Sequence, residues 1–214
     1  MSKRALILVG SPKGLKASNS ARYGNAFAER LEAGGWTVDW IHAHEAVATS
    51  DATSEMCRAA LASDLVLLIA PLYVDTLPGP TLRALEILAM QSERGEITRL
   101  PALSALIHCG FIEPIHNETA VALCKEFARQ SGWTWHGALM LGGGGMPSKR
   151  ARRALGEAAE TLAQGLAISA ETAAAAAKPA MPRWLYILGG NAMWRRVAKK
   201  RDVSRSDLRA TPYG

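Results

Sequence analysis

Hydroxyl side chains, small residues and a lysine are concentrated between Ser11 and Ser20, directly before a predicted helix. The first backbone N–H groups of a helix have no partners within it, and the helix dipole makes this end attractive to anions. Hydroxyl groups add hydrogen bonds to a bound anion. The segment therefore predicts a phosphate site, and the alternative is an ordinary polar loop between a strand and a helix.

Two common nucleotide motifs are excluded at this loop. Leu15 and Lys16 stand where a P-loop would have glycine and lysine, and Pro12 occupies the second glycine position of G-x-G-x-x-G. The rest of the chain has no G-x-S-x-G motif and no Ser-His-Asp arrangement, so hydrolase chemistry has no support.

A second unusual segment runs from Pro71 to Pro78 and is too apolar for a simple connector. Leu72, Tyr73, Val74 and Leu77 would be exposed after a buried strand unless a flat ligand or a partner subunit covers them. This favours an aromatic ligand, and the alternative is that the side chains fold back onto the next helix.

A third segment follows the fourth predicted strand. Gly110 allows the backbone to approach a ligand, while Phe111, Glu113, His116 and Asn117 offer surface and polar contacts. A histidine at a helix start is commonly a capping or solvated residue, which is the alternative for His116. Cys109 is predicted to be a small core residue.

The remaining histidines and cysteines show no metal-ligand spacing and no C-x-x-C pair. We interpret these histidines, including His108, as structural. The odd cysteine count gives disulfides little support. The N-terminus has no export signal, so a cytoplasmic location is expected.

Five apolar runs alternate with helical patterns and must position these segments. The strands are predicted at residues 5–9, 36–41, 65–70, 103–109 and 134–141. The later helices are predicted at residues 53–62, 80–91, 116–130 and 148–177. Such alternation predicts an α/β doubly wound parallel sheet, in which ligands bind beyond the carboxyl ends of the strands.

The charge divides the chain. Net charge is +6, yet residues 1–177 hold 16 Lys/Arg against 17 Asp/Glu, and residues 178–214 hold nine against two. We therefore predict a domain over 1–177 and a basic, aromatic extension over 178–214. A nearly neutral body makes nucleic acid an unlikely main ligand. The extension either packs on protein or binds an anionic membrane surface or nucleic acid.

The three loops together resemble the flavodoxin-like NAD(P)H-dependent oxidoreductases of the FMN reductase type. The matching segments are LILVGSPKG with SNS, APLYVDTLPGPTLRALE and CGFIEPIHN, spread over residues 4–145. The resemblance implies a flavodoxin-like five-stranded sheet of order 2-1-3-4-5. It also implies FMN as cofactor, NADPH or NADH as donor, and a small acceptor such as a quinone, a nitro or azo compound, or a flavin.

The resemblance also assigns roles to individual residues. The implied FMN phosphate contacts are Ser11, Lys13, Ser18, Asn19 and Ser20. The implied neighbours of the isoalloxazine ring are Pro71, Leu72, Tyr73, Val74, Cys109, Gly110, Phe111 and Glu113. Tyr73 and His116 are hypothetical proton donors, resting on loop position alone.

Other functions remain open. A flavodoxin-like electron carrier would hold FMN without reacting directly with NAD(P)H, and a non-enzymatic module would act through its basic tail. Exposed apolar loops beside a flavin are often closed by a second subunit, so a homodimer is expected.

Overall fold

A computed structural model describes residues 3–93, 100–143, 145–204 and 206–210. It contains five strands: β1 Arg4–Val9, β2 Thr37–His42, β3 Leu65–Pro71, β4 Ala102–His108 and β5 Thr134–Leu141. They form one parallel sheet in the order β2-β1-β3-β4-β5. The predicted fold class and strand order are confirmed, and each predicted strand boundary lies within one residue of the structure.

The helices connect successive strands and cover both faces of the sheet. Between β1 and β3 they are α1 Gly14–Ala17, α2 Asn19–Ala33, α3 Ala43–Ala46 and α4 Ser50–Leu61. Beyond β3 they are α5 Gly79–Glu93, α6 Glu118–Ser131, α7 Lys149–Ala163, α8 Ala170–Ala176 and α9 Arg183–Lys199. Short 3-10 turns span Pro114–Asn117 and Asp207–Arg209. Among the described helices, none is long and apolar enough to cross a membrane.

The central strands β1, β3 and β4 are mostly apolar because both of their faces are buried. Alternate residues of β1 point to opposite sides, so Ile7 joins one apolar cluster while Leu8 joins the other. The first cluster lies beneath α2 and α7, and the second lies beneath α4, α5 and α6. This two-sided core fixes the carboxyl ends of the strands at one edge of the sheet.

The predicted helix over residues 148–177 is wrong in its continuity. It divides into α7 and α8, with Gly165 at a φ of +79° after the first part. Ile168 is buried between the two helices, and its backbone N–H donates to the His136 carbonyl at 2.9 Å. Packing of this segment against β5 therefore overrides the helix propensity of the many alanines.

Three smaller differences affect other helices. The predicted helix over 53–62 begins earlier, at Ser50, because Thr49 Oγ1 accepts a hydrogen bond from the Ala52 N–H. Residues 114–117 form a 3-10 turn ahead of α6, so the helix predicted from residue 116 begins at Glu118. The loop after β1 also contains the short helix α1, which was not predicted.

The chain divides into two compact units, Met1–Ala180 and Met181–Gly214. This division lies three residues beyond the boundary expected from the charge distribution. The second unit contains α9 and the 3-10 turn at Asp207–Arg209. The alanine run at residues 173–177 belongs to the first unit, where Ala176 is buried.

Candidate functional site

A cleft of about 340 Å³ lies at the carboxyl edge of the sheet, where the loops after β1, β3 and β4 meet. Its lining comprises Ser11, Lys13, Asn19, Pro71, Leu72, Tyr73, His108, Cys109 and Gly110. Eight of these nine residues were proposed as cofactor contacts from the sequence. The structure thus brings together segments that lie up to a hundred residues apart in the chain.

The first residue of the loop after β1, Gly10, forms close contacts with β3 and α5. The Gly10 N–H donates to the Ile69 carbonyl at 2.8 Å, and Thr81 Oγ1 donates to the Gly10 carbonyl at 3.1 Å. A Cβ at position 10 would lie only 2.6 Å from Thr81 Oγ1. Glycine is therefore required here, and it lets the loop turn away directly at the end of the strand.

The hydroxyls of this loop have different roles. Ser18 Oγ accepts a hydrogen bond from the Ala21 N–H and caps α2. Ser20 Oγ is hydrogen-bonded to His108 Nε2 at 2.8 Å. Both side chains are buried, and neither lines the cleft. Ser11, Lys13 and Asn19 do line it, beside the N-terminus of the fifteen-residue α2. The N-terminus of that helix, an end that generally attracts anions, is therefore part of the site.

The segment after β3 folds into a tight hairpin turn. Tyr73 and Thr76 exchange backbone hydrogen bonds of 2.8 and 3.1 Å around Val74 and Asp75. These two residues have φ values of 47° and 60°, a left-handed conformation that a β-branched residue adopts at a cost in energy. Val74 is 96% exposed at the tip, whereas Tyr73 lines the cleft.

The loop after β4 is organised by buried groups. Cys109 Sγ lies 3.7 Å from the Phe111 carbonyl, and the Asn117 side-chain amide donates to Cys109 Sγ at 3.6 Å and to the Leu141 carbonyl at 3.1 Å. Burial raises the pKa of the Cys109 thiol, so it stays protonated at neutral pH. Cys109 thus helps to shape the wall of the cleft, and Gly110 beside it has open space where a side chain would be.

Phe111, Glu113 and His116 lie outside the lining of the cleft. Phe111 and His116 stack with ring centroids 4.4 Å apart, and His116 Nε2 is 4.0 Å from Glu113 Oε2. Of the two hypothetical proton donors, only Tyr73 borders the cleft.

The loop after β5 supports the other loops through its glycines. A Cβ at Gly142 would lie 2.5 Å from the Ile112 carbonyl oxygen, and the Gly143 N–H donates to the Phe111 carbonyl at 2.7 Å. Gly145 has a φ of +93° and packs against the Asn19 side chain. Close approach and left-handed backbone thus explain three members of the four-glycine run; Gly144 lies outside the described residues.

The sequence interpretation missed His108, which was taken as structural. His108 is the last residue of β4, and its imidazole is hydrogen-bonded to the Ser20 hydroxyl. Its ring packs edge-on against the Tyr23 ring, with centroids 5.4 Å apart. Burial lowers the pKa of His108 to about 4, so the imidazole is neutral at physiological pH. A polar residue at the end of an apolar strand, next to Cys109 and Gly110, was the available signal.

Two other cavities have no comparable placement. One of about 300 Å³ lies at the amino edge of the sheet near Lys3 and Asp64, and one of about 500 Å³ lies between α7 and α8. Ligands of doubly wound sheets bind at the opposite, carboxyl edge. We therefore take the cleft as the candidate site, although the cavity between α7 and α8 is larger. Within the described part of the chain, no group of three His, Cys, Asp or Glu side chains is placed to hold a metal ion.

The fold is flavodoxin-like. No protein-family model matches the chain, and no curated protein matches it. Solved structures do: an NADH:FMN oxidoreductase in its apo form is 14% identical, with a TM-score of 0.61 over 85% of this chain and 97% of its own.

Two further matches have the same fold. An FMN-dependent NADH-azoreductase from Bacillus anthracis str. Ames Ancestor, solved in complex with FMN, is 13% identical, with a TM-score of 0.56 over 77% of this chain and 99% of its own. A flavodoxin from the domain Archaea is 11% identical, with a TM-score of 0.54 over 76% of this chain and 97% of its own.

Proposed function

We propose that this chain binds FMN in the cleft and uses it for NAD(P)H-dependent reduction of a small acceptor. One observation carries the proposal. The N-terminus of α2, which favours anions, and the apolar loop after β3 border the same cleft at the carboxyl edge of the sheet. A molecule with a phosphate at one end and a flat aromatic ring at the other suits both parts.

The phosphate end has three features that favour an anion. The N-terminus of α2 opens beside the cleft, with no acidic residue in its first turn. Lys13 lines the cleft and would offset phosphate charge, while Ser11 and Asn19 offer hydrogen bonds. Ser18 and Ser20 would act indirectly, since their hydroxyls cap α2 and hold His108.

The ring end is formed by the loops after β3 and β4. Pro71, Leu72 and Tyr73 offer apolar surface, and the open space at Gly110 lets a flat ligand approach the backbone. Val74, Phe111 and Glu113 lie at the rim, where they would border the ring or the acceptor. The buried neutral imidazole of His108 adds no positive charge beneath the ligand.

When bound, FMN would supply the hydride and electron chemistry of the reduction, so the protein need not supply a nucleophile or a metal. The chain's own residues bind the phosphate, orient the ring and shape the acceptor site. Tyr73 is placed to shape that site or to donate a proton from its hydroxyl, and His116 could contribute only from outside the lining.

Purified protein tests the proposal directly. We expect a yellow flavin spectrum, or tight uptake of added FMN, followed by rapid bleaching when NADPH or NADH is added without oxygen. Separate additions of the two donors identify the preferred one. A protein that stays colourless with excess FMN would overturn the proposal, and bound flavin that NAD(P)H leaves oxidised would favour the electron carrier.

The proton-donor hypothesis needs its own variants. Tyr73→Phe and His116→Gln keep the ring shapes or polarity while removing the candidate protons. Reduction of a quinone at an unchanged rate in both variants would eliminate the hypothesis without affecting FMN binding.

We also propose a homodimer in the cytoplasm. Large apolar side chains are exposed on every loop around the cleft: Leu15, Val74, Phe111, Ile115 and Met146. A second copy seated on this rim would cover them and narrow the entrance to the cleft. The three reduced cysteines suit the reducing conditions of a cytoplasm.

A further inference from the structure

The helix α9 presents an exposed apolar face that the proposed reductase does not use. Trp184, Ile187, Leu188 and Trp194 lie within an arc of roughly 120° at about 100° per residue, and Asn191 and Arg195 lie within the same arc. The four apolar side chains are exposed, Trp184 at 67% and Trp194 at 63%. Tyr186 and Val197, on the other side of the helix, are more sheltered, whereas Leu185 and Met193, also outside the arc, are 41% and 54% exposed.

Positive charge is concentrated at the end of the same helix. Five exposed basic residues occupy its last turn and the residues that follow: Arg195, Arg196, Lys199, Lys200 and Arg201. Residues 178–214 contain nine Lys/Arg and two Asp/Glu, in contrast to the nearly neutral remainder. The partner of this segment must therefore combine an apolar layer with negative charge.

We propose that α9 and the basic residues after it bind the surface of an anionic lipid bilayer. Indole rings are favoured at the boundary between headgroups and acyl chains, and aliphatic side chains gain by entering it. Lysine and arginine are attracted to anionic headgroups. The helix would lie in the interface, with its Trp184 face towards the acyl chains.

Two other partners suit the segment less well. A second copy of the tail carries the same excess of positive charge, so two tails repel each other. Nucleic acid would engage the basic and aromatic residues. It offers no apolar layer for Ile187 and Leu188, which an acyl region does.

The test is sedimentation of the full-length protein with lipid vesicles. We expect binding to vesicles of phosphatidylcholine with phosphatidylglycerol, little binding to phosphatidylcholine alone, and weaker binding at high salt because exposed charges are screened. The double variant Trp184→Ser with Trp194→Ser should bind at least about tenfold more weakly, because each indole loses its buried area. Arg195→Gln with Arg196→Gln and Lys199→Gln should have a similar effect.

The matched control is Met90→Ser with Leu166→Ser, which removes two exposed apolar side chains from the first unit. It should bind vesicles as the wild type does, and circular dichroism should give the same spectrum for every variant. Absence of binding to the anionic vesicles at low salt, or unchanged binding of the tryptophan variant, would overturn the proposal.

Two further outcomes would also overturn it: a tryptophan-dependent change in oligomeric state without lipid, or tighter binding to an oligonucleotide than to the vesicles. Vesicle sedimentation does not depend on flavin. A protein that fails to bind FMN would therefore contradict the proposed reductase function but not the proposed binding of α9 to lipid.

Discussion

His108 joins the two halves of the candidate site at a single residue. Its imidazole is bonded to Ser20 on α2, and its carbonyl accepts a hydrogen bond from the Leu72 N–H at 2.8 Å in the loop after β3. The start of α2 and the loop after β3, on two sides of the cleft, are thus connected through one buried residue. Charging this imidazole would place an unpaired cation at the base of the cleft.

We expect a pH dependence of stability from this residue. Its pKa is about 4 in the folded protein and near 6.5 as an exposed histidine, so the unfolded chain binds the proton first as pH falls. The contribution of neutral His108 to the free energy of unfolding is fully present above pH 6.5. It declines between pH 6.5 and pH 4, by at most about 3 kcal/mol. His136, whose pKa is lowered by partial burial, acts in the same direction.

Denaturant unfolding over this pH range checks the expectation. His108→Gln should be less stable than the wild type at neutral pH and should lose stability less steeply on acidification. His44→Gln, at an exposed histidine, is the control and should follow the wild type. An equally steep decline in His108→Gln would show that other groups cause the acid sensitivity.

At the scale of elements, the loops after β1, β4 and β5 support one another. Gly142 and Gly143 lie against the backbone at Phe111 and Ile112, and Gly145 lies against Asn19. Asn19 is the first residue of α2 and lines the cleft. The position of the α2 N-terminus therefore depends on a loop that is not itself part of the lining.

Gly145→Ala tests this dependence. An alanine Cβ would lie 2.6 Å from Asn19 Cγ, and the φ of +93° is unfavourable for any residue with a side chain. We expect a loss of at least about 1–2 kcal/mol in unfolding free energy. Provided that the cleft binds FMN, affinity for it should also fall, as measured by titration of flavin fluorescence.

Gly156→Ala is the matched control, because the same substitution in α7 meets open space. It should stabilise the protein by up to about 1 kcal/mol through higher helix propensity and leave the cleft unchanged. Equal effects of the two substitutions on stability would contradict the proposed support of Asn19 by Gly145.

The elements that could be predicted are those set by local pattern. Unbroken apolar runs located β1 and β3, and the alternation of five predicted strands with helices predicted the parallel sheet that the structure confirms. The break at Gly165 does have local signals, because a glycine with positive φ follows α7 and Ser169 caps α8. The hydrogen bond from the Ile168 N–H to the carbonyl of His136, which is distant in the chain, could not be predicted from the sequence.

The candidate site was predictable in its loops but not in its pairings. Polar and apolar content after β1, β3 and β4 identified the segments that meet in the cleft. The bond between Ser20 and His108 joins residues 88 positions apart, and no local pattern indicates it. For the same reason, the sequence did not distinguish Ser18 and Ser20 from the residues that face the cleft.

At the scale of the whole molecule, two exposed apolar surfaces differ in the net charge of the segments that carry them. The first unit has little net charge and an apolar rim around the cleft, whereas the tail combines positive charge with the exposed face of α9. The two surfaces therefore call for different partners. The rim suits an uncharged apolar partner, and a second copy of the same rim meets that description without electrostatic cost.

We expect the protein to be a dimer that depends on this rim. Val74→Glu with Phe111→Glu would place like charges on opposing copies and bury carboxylates without partners, so the double variant should be a monomer. Both side chains are exposed in the single chain, so the variant should fold as the wild type does. Light scattering coupled to size-exclusion chromatography measures the mass directly.

Met90→Glu with Leu166→Glu is the control, since it adds the same charges at exposed apolar positions away from the rim. It should remain a dimer. A monomeric wild type at micromolar concentration, or a rim variant that still dimerises, would contradict the rim as the interface. In that case the exposed side chains at the cleft would be available to an apolar acceptor, and the rim variant should then raise the KM for a quinone.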